Sequence, residues 1–132
     1  MRRHALILPA ALLASCGTWD EHELSTLAEV CVQDDELRVT FDDCRSSSCS
    51  QVVDSGCTAT LDGDLLTVRG GAIIEVWNGP GACTADCAFT TAWCALPTGV
   101  DMQRTRLAYG TDPGSATLAE SGCNDGFWGD GP

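Results

Sequence analysis

The stretch Cys57-Thr58-Ala59-Thr60-Leu61-Asp62-Gly63-Asp64-Leu65-Leu66-Thr67-Val68-Arg69 reads as two β-arms around a tight turn. Asp62-Gly63 is a hairpin signal, because glycine reaches positive φ without a Cβ clash. Cys57–Leu61 is the first arm and Leu65–Arg69 the second. Upstream, Leu37, Val39 and Phe41 alternate with Arg38 and Thr40, the period of a half-buried strand, and Gln51-Val52-Val53 adds another extended segment. Downstream, Gly70-Gly71 reads as a break, Ala72–Trp77 as a strand and Asn78-Gly79-Pro80-Gly81 as a dense turn. Cys87–Leu96 is extended, with Phe89 and Trp93 on one face. Pro97-Thr98-Gly99 then turns the chain. Met102–Tyr109 and Ala116–Ala119 complete the set, with Asp112-Pro113-Gly114 between them. Short strands at these spacings predict an all-β fold: a small, disulfide-stapled antiparallel sandwich of immunoglobulin-like character.

No long helical pattern competes after residue 36. Ahead of it, Thr18-Trp19-Asp20-Glu21 fits a capping box, and Leu24, Leu27, Ala28 and Cys31 fall on one helical face. These fit a short N-terminal helix, and the residues do not choose between it and a strand. The alternative is a strand over Leu27–Val32 that turns at Asp34-Asp35-Glu36.

The chain has 9 cysteines, an odd number. Cys44-x₄-Cys49-x₇-Cys57 is echoed by Cys83-x₃-Cys87-x₆-Cys94, and each run is followed by a strand and a glycine. If the two units are pseudo-symmetric, Cys44–Cys49 and Cys83–Cys87 are matching local staples. Cys57 and Cys94 are then equivalent positions, and Cys31 and Cys123 the outer pair. Spacing alone does not choose among the many connectivities. Zinc is the rival use for such pairs, but no histidine stands beside these cysteines.

The N-terminus reads Met1-Arg2-Arg3-His4, then an apolar run from Ala5 to Leu13. That is the layout of a secretory signal, and it is shorter than the roughly 20 residues a spanning helix needs. Leu13-Ala14-Ser15-Cys16 resembles the lipobox of bacterial lipoproteins. The resemblance implies a signal peptide over 1–15 and lipidation of Cys16, with the membrane as partner through that anchor. It also implies an oxidising compartment, where the other cysteines form disulfides. Lipidating Cys16 leaves 8 cysteines, an even set. Gly17 is not the Asp that marks inner-membrane retention in enterobacterial members, so the resemblance favours the outer membrane. The organisation expected is a lipidated N-terminus and short tether over 16–30, a Cys-rich β domain over 31–123, and a Gly-rich acidic tail over 124–132.

Loss of Arg2 and Arg3 with the signal leaves 5 basic against 19 acidic residues, a net charge of −14. Such a chain does not bind nucleic acid through its own charge. The only histidine after the signal is His22, in the presumptive tether, and no nucleophile or phosphate-loop motif occurs. Asp34-Asp35-Glu36, Asp42-Asp43, Asp62-Gly63-Asp64 and Asp125 carry oxygen donors, but none forms a twelve-residue calcium loop; they read as turn and surface charge. No metal or cofactor is expected. Trp77 and Trp93 read as core. Phe127 and Trp128, in a tail that reads as a frayed end, are candidate binding residues. The expectation is a non-enzymatic envelope lipoprotein, a binding or structural module whose partner is a protein or polysaccharide. The alternative is an envelope hydrolase, or an inhibitor of an envelope enzyme, using surface carboxylates.

Overall fold

A computed structural model describes residues 16–109 and the backbone of 112–117. Eight strands form two sheets: β1 (Thr18–Leu24), β2 (Leu27–Gln33), β3 (Glu36–Phe41), β4 (Ser50–Asp62), β5 (Leu65–Asn78), β6 (Thr91–Ala95), β7 (Arg106–Tyr109) and β8 (Asp112–Thr117). The fold is the all-β sandwich expected, and no helix occurs among the described residues.

The hairpin that opens the reading becomes the longest ladder. β4 pairs β5 from Asp62↔Leu65 to Ser50↔Val76. Its two-residue loop is Gly63-Asp64, with Gly63 at φ +61°, as a loop with glycine in first place requires. Gly70-Gly71 does not break the strand. β5 runs straight through, because Gly70 is where the two layers touch. A Cβ there would lie 2.8 Å from Leu27 Cδ2 and 3.0 Å from Phe41 Cζ. On its other side β5 is shared: β1 pairs with Ala72–Asn78 and β7 with Leu65–Val68. The β5–β7 pair is parallel, the one such pair among the described strands; β8 follows antiparallel on β7. Asp112-Pro113-Gly114 therefore lies within a strand rather than between strands.

The second sheet has the order β2-β3-β6. Asp34 and Asp35 connect β2 to β3, both at positive φ (51° and 62°), the conformation of a two-residue hairpin turn. The inner rows of the two sheets meet in one core, where Val30, Leu37, Val39 and Phe41 pack against Leu66, Val68 and Ala72. Period-two alternation produces this directly: Leu37, Val39 and Phe41 are fully buried and Arg38 and Thr40 are not.

Of the two readings of the N-terminal stretch, the strand over Leu27–Val32 forms, as β2, and the helix does not; residues 18–24 form β1. A capping box supplies only a start signal, and seven residues are too few for a helix to be stable alone. The unpaired edge of β5 offers a complete ladder instead. The stretch expected to be a tether over 16–30 thus contributes β1 and the start of β2.

The disulfides correct the local-staple pairing. Cys44 bonds Cys87, Cys49 bonds Cys83, and Cys57 bonds Cys94. The two cysteine-bearing loops run antiparallel to each other, held by reciprocal Arg45–Ala88 backbone hydrogen bonds. Each cysteine of one loop therefore meets one from the other loop rather than its sequence neighbour. Cys57–Cys94 ties β4 in one sheet to β6 in the other. Cys31 is also disulfide-bonded, and its expected partner Cys123 lies outside the described residues.

Candidate functional site

Strand alternation gives the first sheet an outer face that no other layer of the described residues covers. Across β1, β5 and β4 the register stacks this face in rows. Trp19 lies opposite Trp77, Glu21 and Gln51 flank Glu75, and Glu23 and Asp54 flank Ile73. Gly71 then faces Gly56, and Arg69 faces Thr58. The bulge at Val53 keeps both halves of β4 in phase with β5. At the far end the Trp19 and Trp77 rings lie 5.5 Å apart, tilted by 57°. Trp77 Nε1 donates to Pro80 O at 3.2 Å, and Gln51 Nε2 donates to the Glu75 carboxylate.

Gly56 and Gly71 interrupt the side-chain layer. A Cβ on either would meet nothing within 4 Å, in contrast to Gly70, which is packed from the core side. The result is an open groove of about 820 Å³, floored by backbone and walled by Glu23, Asp54, Thr58, Arg69 and Ile73. Among the described residues no strand pairs with residues 69–71 on the β1–β7 side, since β1 ends opposite Ala72 and β7 ends opposite Val68.

The chain has no lysine, and four of its described arginines pair with carboxylates. Arg38 pairs with Glu29, Arg45 with Asp43, Arg104 with Asp101 and Arg106 with Asp64. Among the described residues, Arg69 is the arginine with no carboxylate partner. It stands at one end of the groove, and Glu23 and Asp54 stand at the other. The groove thus presents a guanidinium donor, two carboxylate acceptors, a hydroxyl and exposed main chain within one open recess.

The other acidic positions have local duties. Asp43 is nearly buried; its carboxylate receives Arg45 Nε and, at 3.3 Å, the Thr90 amide. Arg45 also donates to Thr90 Oγ1. Asp64 accepts two hydrogen bonds from Arg106, at 3.0 and 3.1 Å, and that guanidinium holds its carboxyl below the ordinary range. Asp86 is pushed down to about 2 by hydrogen bonds from Ser47, which ties the two disulfide-linked loops together, and from Thr84 in its own loop. Burial, with the nearby Glu29 carboxylate, raises the Tyr109 phenol. No cluster of three or more His, Cys, Asp or Glu side chains suited to a metal occurs among the described residues.

Cys16 is exposed and is the free cysteine among the described residues. Trp77 is half-buried. Trp93 is not core but 46% exposed, because its position opposite Arg38 puts it on the outer face of β6. His22 is exposed on β1. Residues 1–15, Cys123, Asp125, Phe127 and Trp128 lie outside the described residues. The groove itself was not anticipated. Its signal is an exposed glycine inside each of two paired strands, which marks close approach or open space. The register that sets Gly56 opposite Gly71 follows from the loop being Gly63-Asp64; a turn at Asp62-Gly63 would have set Gly56 opposite Arg69 instead. No protein-family model, curated protein or solved structure matches the chain.

Proposed function

We propose that this chain is a non-enzymatic, lipid-anchored module of the cell envelope, on the outer membrane, that binds a polysaccharide in the groove over Gly56 and Gly71. Anchoring rests on the lipobox-like Leu13-Ala14-Ser15-Cys16 and on the exposed, unpaired Cys16 in a chain whose other described cysteines are disulfide-bonded. Such disulfide use belongs to an exported protein. The observation that carries the binding reading is the groove. It is open and floored by peptide groups, and its walls offer carboxylates, a hydroxyl and an unengaged guanidinium. Hydroxyl-rich ligands exchange hydrogen bonds with such groups. A protein partner would favour an apolar patch.

The test is co-sedimentation of the mature protein with purified envelope glycans. Gly71→Val puts a side chain into the notch, where a Cβ meets no atom within 4 Å, and should abolish binding while leaving the unfolding midpoint unchanged or higher. Arg69→Ala should weaken binding. Unchanged retention of both variants overturns the groove as the site. Soluble glycan fragments released during incubation, and lost in Glu23→Gln or Asp54→Asn, would make the protein a hydrolase instead. Cys16→Ser should abolish lipid labelling; persistent labelling overturns Cys16 as the anchor.

A further inference from the structure

The end of the first sheet nearest Cys16 differs from the rest of this acidic molecule. Gly17 lies against the Trp77 ring, and a Cβ there would overlap that ring and sit 2.7 Å from Gly79 Cα. Thr18 already pairs with Asn78. One residue, itself packed, therefore separates Cys16 from the folded sheet. Beside it, Gly79-Pro80-Gly81-Ala82-Cys83 is exposed and carries no charge. Gly81 and Ala82 join Trp19 and Trp77 around a recess of about 330 Å³. Trp19 is 44% exposed.

We infer that this Trp19–Trp77 end seats in the interfacial layer of the bilayer that holds the Cys16 acyl chains. The inference rests on the lipidation reading above. A lipid-bearing Sγ lies at the boundary between hydrocarbon and headgroups, and the headgroup layer is about 5–8 Å thick on each side. At about 3.3 Å of rise per residue, Trp19 lies within about 10 Å of Cys16, and the Trp77 ring lies against Gly17. Indole rings favour that layer because one part is apolar and the N–H is polar. The nearest carboxylates, Asp20 and Glu21, and the strongly negative chain disfavour an anionic leaflet, so the surface is a zwitterionic one. In this seating the groove at Gly71, six residues along β5 from Trp77, stands about 20 Å above the anchor, clear of the lipid.

The experiment uses the full chain, processed and lipidated in cells, in phosphatidylcholine nanodiscs with and without brominated acyl chains. Trp93→Phe/Trp128→Phe leaves Trp19 and Trp77 as reporters. Their emission should drop in brominated discs. The reciprocal variant, Trp19→Phe/Trp77→Phe, should keep its emission. Mass spectrometry of the same sample reads the acyl group on Cys16. An acylated protein whose Trp19 and Trp77 emission is unaffected by bromine overturns the seating alone. An unacylated Cys16 overturns the anchor and the seating together. Two chains per disc with both tryptophans shielded from bromine and from aqueous quencher would assign the surface to a second copy, overturning the seating.

Discussion

Among the described residues, Asp43 and Arg45 form the one ion pair that is nearly buried on both sides, with side chains 7% and 13% exposed. Breaking such a pair from one side leaves a charge without a partner in a poor solvent. Asp43→Ala should therefore cost about 3–5 kcal/mol, read from urea unfolding. Arg104→Ala, which removes only the exposed pair with Asp101, should cost no more than about 1 kcal/mol. Asp86 makes a pH-dependent contribution. Its folded value of about 2 lies below the ordinary aspartate value, so its stabilisation is fully present above about pH 4. It is lost as pH falls through about 2. Unfolding midpoints measured down that range should fall in the wild type, and Asp86→Asn should lack that component. Thr84, Ser47 and Asp86 are unremarkable in sequence. Only the antiparallel docking of two loops brings them together.

At the scale of the strand, adjacent glycines on β5 have opposite roles. Gly70 points inward onto Leu27 and Phe41, whereas Gly71 points into open space. Gly70→Ala should destabilise by about 1–3 kcal/mol through overpacking. Gly71→Ala should be neutral or stabilising by up to about 1 kcal/mol, because alanine loses less backbone entropy in a strand. Thermal unfolding of the two variants checks the pair, and equal effects would contradict the assigned facing. As a dipeptide, Gly70-Gly71 carries turn chemistry, and the sequence reads as a break. The partners on either side of β5 overrule that local preference. The capping box at Thr18–Glu21 was overruled in the same way. β5 has an open edge, and β1 completes its ladder.

Across the whole molecule, Cys57–Cys94 joins sheets that otherwise cohere through a small apolar core. It closes a loop of 37 residues. Replacing both cysteines with serine should cost about 4 kcal/mol by loop-closure entropy, measured as a lowered urea midpoint. A shift below about 1 kcal/mol would mean that the core alone holds the sheets. The sandwich then sets the outer face of β1, β5 and β4 as one continuous strip. An uncharged tryptophan end lies beside Cys16, and a polar groove lies farther along.

The sequence by itself determined the strand class, the hairpin around Gly63 and the inward row of Leu37, Val39 and Phe41. Each depends on neighbours a few residues apart, where the period of side-chain burial is written directly. It also marked Cys16 as the odd cysteine. The tertiary structure decided which cysteines bond, which strand lies beside which, and where Trp93 points. It also decided that Gly56 lies opposite Gly71. Most of those are contacts between segments distant in sequence, set by the docking of whole strands, which no local pattern encodes; the Gly56–Gly71 pairing turned on which two residues form the hairpin loop, a one-residue difference that the Asp62-Gly63 signal left open.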